Sequence, residues 1–186
     1  MNQTSLFRYV LRITLVLLSI AVVVAGLLAL VNRITAPVIE EATQAKTQAA
    51  ISQVLPGGYD REITDFTDDT GLVSRIYQGE SGYALEVKPI GFDSAITMMV
   101  GVDKDGSVWG IAVISHTETA GLGAVAAANT SAGQAFRNQF NGTSGSVSVT
   151  KDGGQIDAIT GATVTSRAVC NGVNAALACV AGLEGA

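Results

Sequence analysis

Apolar positions run without interruption near the start of the chain and alternate with polar ones further along it. Ile13 to Val31 carries no charge, and Thr14 and Ser19 are its only polar residues. As a helix this stretch spans about 28 Å at 1.5 Å per residue, close to the roughly 30 Å hydrocarbon core of a bilayer. It has no polar face, unlike a helix packed on a soluble core. It is longer than the apolar core of a signal peptide, and Ala29-Leu30-Val31 is a poor cleavage site. One uncleaved transmembrane helix is therefore expected over 13–31. Arg8 and Arg12 precede it and Arg33 follows it. The positive-inside rule then keeps the N-terminus in the cytoplasm and exports the rest. Gly26 and the neighbouring alanines permit close packing against other membrane helices.

Beyond the anchor the pattern changes. Pro37 suits a first helical turn, and Val38 to Val54 is rich in the helix formers Ala, Gln and Glu. Pro56-Gly57-Gly58 ends that helix, which is expected to lead away from the membrane. Asp60 to Thr70 reads as an acidic loop. Strands are expected at Leu72–Tyr77, Tyr83–Val87, Ala95–Val102 and Val108–Ile114, the last two joined by the hairpin signal Asp103-Lys104-Asp105-Gly106. That turn begins like a calcium loop but lacks the later ligands, so a turn is the reading. Ala124 to Phe140 is expected to be helical with a break near Gly133, and Gly142 to Gly154 to be a loop. A short strand, Gln155–Ile159, leads to a turn at Thr160-Gly161. A last helix is expected from Thr163 to Gly182, burying the stripe Val169, Val173, Ala176, Val180 and Leu183. The fold class is α/β (α+β): an antiparallel or mixed sheet with packed helices, preceded by one N-terminal transmembrane helix. The expected segments are a cytoplasmic N-terminus 1–12, a transmembrane helix 13–31, a helical linker 34–58 and an extracytoplasmic domain 59–186.

Composition and charge narrow the function. The chain has 186 residues, 48% hydrophobic and 15% charged, with mean hydropathy +0.38. This excludes intrinsic disorder. The two cysteines, Cys170 and Cys179, cannot carry a disulfide scaffold. On one intact helix they stand about half a turn and about 13 Å apart, too far to bond to each other. Buried free thiols are expected. All 16 acidic residues follow Arg33, against eight of the 11 basic ones, so the exported part carries −8. A nucleic-acid partner is disfavoured. Met98, Met99 and Trp109 are expected in the core or an interface.

Two segments carry candidate chemistry. The first, His116-Thr117-Glu118-Thr119-Ala120-Gly121-Leu122-Gly123, leaves a strand and enters a helix. It sets an imidazole, a carboxylate and hydroxyls beside glycines that let backbone N–H groups approach a ligand. His116 is the only histidine, which excludes a multi-histidine metal site. A plain glycine-rich loop explains the segment equally well. The second segment is Asp157-Ala158-Ile159-Thr160-Gly161-Ala162-Thr163-Val164-Thr165-Ser166. It opens a helix whose unpaired N–H groups and positive dipole end suit a phosphate. Simple N-capping by Thr160 or Thr163 is the alternative. No P-loop motif and no G-x-S-x-G stretch is present.

Asp157-x-x-Thr160-Gly161-Ala162-Thr163-x-Thr165 resembles the flavinylation motif of FMN-binding domains. His116-x-Glu118-Thr119-Ala120-Gly121-Leu122-Gly123 resembles that family's second signature, with Ala120 where proline is usual. Gly91-Phe92-Asp93 and Phe136-x-x-Gln139-Phe140 fit the same pattern. Together with the single anchor, the chain resembles the G subunits of Rnf-type ion-translocating electron transport complexes; the C subunits of sodium-pumping NADH:quinone oxidoreductases are relatives. The resemblance implies FMN joined through its phosphate to Thr163 by a phosphoester bond, attached by a flavin transferase that recognises Asp157. It implies a cofactor site that includes Thr160, Gly161, Ala162, Thr165, Glu118, Thr119, Gly121, Leu122 and Gly123. The Gly121–Gly123 backbone would lie against the flavin, and Glu118 and Thr119 would bond its polar edge. The implied role is electron relay among the other subunits of a membrane complex that couples ferredoxin and NAD chemistry to cation transport. A tethered ligand-binding or sensor domain without redox role is the alternative.

Overall fold

The expected membrane helix and the expected linker helix form one element. A computed structural model, describing residues 3–185 and their side chains from residue 7 onward, has a single helix α1 over Gln3–Val54 with Pro37 inside it. This corrects the placement of Pro37 in a first helical turn. A proline inside a helix removes one i→i−4 hydrogen bond, and α1 nonetheless continues on both sides of it. Residues 1 and 2 of the expected segment 1–12, and residue 186 of the expected domain, lie outside the described residues. Among the described residues α1 is the one helix long and apolar enough to cross a membrane. Leu17, Val22 and Leu28 along it are exposed to the surroundings. The chain divides into two units after Ala45, so the last turns of α1 belong to the second.

That second unit is built on five strands. They are β1 Arg61–Ile63, β2 Val73–Gln78, β3 Gly82–Val87, β4 Thr97–Asp103 and β5 Val108–Ser115. Each pairs antiparallel with the next, in the order β1-β2-β3-β4-β5. Short connections permit such a meander without crossovers. The β4–β5 turn is closed by Asp103 Oδ1, which accepts from the Ser107 N–H at 2.7 Å.

Three sequence expectations need correction. The acidic stretch after residue 60 contributes strand β1, because pairing with β2 overrides its loop-like composition. The expected helix 124–140 is a 3-10 turn, Gly123–Ala127, and a separate helix α2, Ser131–Asn138. The break falls at Thr130, whose hydroxyl accepts from the Gly133 N–H and caps α2. The expected strand 155–159 is reduced to one parallel bridge between Val149 and Ile156. The loop before it contains a 3-10 turn, Thr150–Asp152. The last helix, α3, runs Thr163–Glu184, slightly longer than expected.

Strand alternation divides the core between the two faces of the sheet. On one face Ile76, Leu85, Val100 and Ile111 pack with Val169, Val173, Ala176 and Val180 of α3 and with Phe136 and Phe140. On the other, Tyr77, Ala84, Met99 and Ala112 meet Ala50, Ile51, Val54 and Leu55 at the end of α1. All six residues of β3 are therefore buried. A Cβ on Gly101 of β4 would collide with the Val54 carbonyl, so the end of α1 rests directly on the sheet. Met98 and Met99 are core residues facing opposite sides. Cys170 and Cys179 are buried free thiols, and burial pushes the Cys170 thiol up to about 11.

Phe140 is fully buried and meets Phe136 edge-on, with ring centroids 5.5 Å apart. Phe140→Ala is expected to destabilise the fold by about 3–5 kcal/mol through the cavity it leaves. Chemical denaturation of the detergent-solubilised chain, followed by Trp109 fluorescence, measures this.

Candidate functional site

A buried carboxylate organises the loops at one end of the sheet. Glu118, only 7% exposed, sits in the loop that leaves β5. Its Oε1 accepts from the backbone N–H of Phe92 at 2.8 Å and of Asp93 at 3.3 Å. Its Oε2 accepts from the hydroxyl of Thr165 in the first turn of α3. Three segments distant in sequence thus meet at one side chain: the Gly91-Phe92-Asp93 loop, the 117–123 loop and the N-terminus of α3. A hydrogen bond between the Ser94 and Thr117 hydroxyls reinforces the first contact. A Cβ on Gly123 would collide with Glu118 Oε2 and Thr165 Oγ1, so only glycine fits there.

The hydroxyl-rich segment forms the other wall. Gly161 and Gly121 hold φ of +75° and +74°, a region that L side chains rarely adopt. The turn at Gly161 delivers the chain into α3, whose N-cap is Ala162 and has no side-chain cap. Neither Thr160 nor Thr163 caps the helix, which overturns the capping alternative. The inward-facing Ser166 braces the turn instead, donating to the Ala162 carbonyl at 2.9 Å and accepting from the Ile159 N–H at 3.0 Å. The first N–H groups of α3 therefore remain available to an anion.

A cleft of ≈290 Å³ lies between these walls. Glu118, Thr119, Leu122 and Gly123 line it from one loop, and Gly161, Ala162, Thr163 and Thr165 from the other. Eight of the sequence candidates are brought together. Gly121 shapes the turn beside the cleft, with Leu122 N–H donating to the Thr119 carbonyl at 3.1 Å. Thr160 and Asp157 are exposed and stand outside the cleft lining. The Asp157 backbone is held by the Gln139 amide, which accepts from its N–H at 2.7 Å and donates to its carbonyl at 3.2 Å. His116 is half-buried, lies outside the cleft lining, and has an enclosed Nδ1 with no hydrogen-bond partner.

Three cleft residues were not among the expected site residues. Phe92, 71% exposed, and Val164, 46% exposed, add apolar surface beside Leu122. Lys151 is the more informative one: its Nζ donates to the Thr163 hydroxyl at 3.1 Å. It comes from the 3-10 turn Thr150–Asp152, pinned to α3 by two hydrogen bonds from Arg167 to Asp152, at 2.6 and 2.7 Å. Those bonds hold the Asp152 carboxyl below the ordinary carboxylate value. The clasp is thus complete above the ordinary carboxylate pKa and opens only as pH falls through that lowered value. Lys151 was legible only as the single cation of the Gly142–Gly154 loop. A larger groove of ≈410 Å³ lies elsewhere, around Arg137, but it holds no helix N-terminus beside a free hydroxyl.

The comparisons agree with this geometry. The family model described as "FMN-binding domain" matches residues 91–178, from the Phe92 loop through most of α3. That described as "RnfG N-terminal region" matches residues 1–54, the span of α1. The G subunit of a Na(+)-translocating ferredoxin:NAD(+) oxidoreductase complex from Acetobacterium woodii is 33% identical, with 90% of each chain covered. The G subunit of an ion-translocating oxidoreductase complex from Methanosarcina acetivorans is 31% identical over 94% of this chain and 96% of its own. Its counterpart from Erwinia tasmaniensis is 35% identical over 82% of this chain and 81% of its own.

Thr163 and Thr165 stand two residues apart with different surroundings. Thr165→Val removes a donor from a buried carboxylate and is expected to destabilise the fold by about 1–3 kcal/mol. Thr163→Val removes only a partly exposed hydroxyl and is expected to change stability by less than about 0.5 kcal/mol. Parallel urea titrations of the two variants test the contrast.

Proposed function

The chain belongs to the family of G subunits of Rnf-type ion-translocating oxidoreductase complexes, and from that premise we propose that it carries FMN covalently on Thr163. In this reading it relays electrons between other subunits of a ferredoxin:NAD complex coupled to cation transport. The observation that carries the attachment is the Thr163 hydroxyl: it faces the cleft at an uncapped helix start, with the Lys151 ammonium 3.1 Å away. The residues present fit the cofactor. Gly123 lets its loop close against Glu118 and Thr165 to form one wall of the cleft, the α3 N–H groups suit a phosphate, and Phe92, Leu122 and Val164 offer apolar surface to a flat ring.

FMN supplies the redox chemistry when bound; the chain holds and tunes it. Attachment would join Thr163 Oγ1 to the FMN phosphorus of a flavin dinucleotide, and the hydroxyl proton would leave with the displaced nucleoside monophosphate. Lys151 and the start of α3 would stabilise the one negative charge that a phosphodiester there keeps. Glu118 serves chiefly as the latch behind the site, since both its oxygens have protein partners. Thr119, Gly121 and Leu122 shape the wall facing Thr163, and Thr160, Gly161 and Ala162 form the turn that presents it. Asp157, exposed and held by Gln139, is the feature a flavin transferase would recognise. The cleft opens to solvent, which suits a carrier whose cofactor must exchange electrons with neighbours. The N-terminus is assigned to the cytoplasm and the domain 59–186 to the exterior, supported by Arg8 and Arg12 before the anchor and the acidic balance after it.

Chain exported in a host that contains the transferase is expected to gain the mass of one FMN minus water, on the peptide holding Thr163. Thr163→Val is expected to lack the increment and Thr163→Ser to keep it. Flavin fluorescence in a denaturing gel of Thr163→Val would sink the assignment. Lys151→Gln is expected to slow attachment about tenfold, equivalent to ~1.4 kcal/mol in the barrier, with Lys151→Arg restoring most of it. A time course of the mass increment reads this out.

A further inference from the structure

We infer that the groove floored by Arg137 is a docking site for a carboxylate of another polypeptide in the assembly. Arg137 lies on α2 and is only 8% exposed. Its Nη1 donates to the carbonyls of Ala126 at 2.7 Å and Ala128 at 3.0 Å. Those acceptors are neutral. Among the described residues no carboxylate pairs with Arg137. Burial lowers its pKa from the ordinary guanidinium value, as expected for a desolvated cation without a counter-charge. Arginine keeps its proton nonetheless, so the unmet charge persists at every working pH.

The guanidinium has five N–H donors in a fixed fork. Nη1 is occupied by the two carbonyls, whereas Nε and Nη2 have no protein acceptor among the described residues. Arg137 borders the ≈410 Å³ groove, together with Trp109 of β5 and the amides of Asn129, Gln134, Asn138 and Asn141. No acidic residue lines it. The surrounding sequence from Lys46 onward holds 14 acidic and 8 basic residues, so the groove is an acid-free island on an acidic domain. A free edge of a guanidinium fork with amide donors around it matches the two oxygens of a carboxylate.

The lining also indicates the source. It offers little apolar surface to enclose the body of a small ligand. A buried arginine beside a half-buried tryptophan, within a rim of exposed polar side chains, has the composition of an interface anchor. The groove shares no lining residue with the cleft at Thr163. The inference rests on the chain being one subunit of a complex, but not on how FMN is attached.

The test uses the full chain in its native membrane assembly, purified through an affinity tag on this chain and washed at increasing salt. Asn138→Asp combined with Gln134→Glu, both on the exposed rim, places carboxylates of the chain's own before Arg137. This double variant is expected to retain about tenfold less of the neighbouring subunits, through like-charge repulsion at the groove. Its FMN mass increment is expected to remain that of wild type. Asn138→Lys provides a second reading free of any folding defect at Arg137. A carbodiimide activates a nearby carboxylate, and the introduced amine displaces the urea to leave an amide, with net loss of water. Mass spectrometry is expected to find that amide on an Asp or Glu of another polypeptide. Wild-type retention by the double variant together with no interchain amide overturns the proposal. Stabilisation of wild type, but not of Arg137→Met, by millimolar citrate without any interchain amide also overturns it, in favour of a small-molecule site. An interchain amide in a preparation lacking the FMN increment supports the groove and counts against the attachment at Thr163 alone.

Discussion

A carboxylate taken out of water must be met by donors, or it destabilises everything around it. Glu118 is in that position. Two backbone N–H groups of the Phe92–Asp93 loop and the Thr165 hydroxyl meet it. These donors come from two distant parts of the chain and the carboxylate from a third, so satisfying one charge fixes three segments at once. The cleft at Thr163 is the space those segments enclose. Without the latch, the Gly-rich loop has little to hold it against the start of α3, because glycines contribute no side-chain packing of their own.

This arrangement separates holding from reacting. Thr165 and Ser166 point inward and brace the turn. Thr163 is left facing the cleft, where Lys151 is its neighbour. A run of hydroxyl residues at a helix start is therefore not redundant capping. The helix has no side-chain cap, and each hydroxyl has a distinct direction set by the 100° step between successive residues.

The sheet supplies the rigid base. Its two faces are both covered, by α3 on one side and the end of α1 on the other. The last turns of α1, which belong to the second unit, are thus part of its core. Residues 38–54 read as a linker in the sequence because Ala, Gln and Glu dominate there, and because Pro37 resembles a start signal. Ala50, Ile51 and Val54 stand in that stretch and Leu55 directly after it, but their partners, Tyr77, Ala84, Met99 and Ala112, lie on four different strands.

The amino-acid sequence by itself determined the anchor, the strand-rich domain, the last helix and its buried stripe, and the two segments that face each other across the cleft. These rest on local patterns: an uncharged apolar run, period-two alternation, glycine turns and a hydroxyl-rich helix start. Only the tertiary structure decided which hydroxyl faces the cleft, that Glu118 is a latch, that Lys151 sits beside Thr163, and that Arg137 is buried without a counter-charge. It also turned an acidic loop into strand β1 and divided the expected helix 124–140 at Thr130. Each of these depends on contacts between residues far apart in the chain. Local periodicity records which face of an element is apolar. It does not record which distant group arrives to satisfy a buried charge.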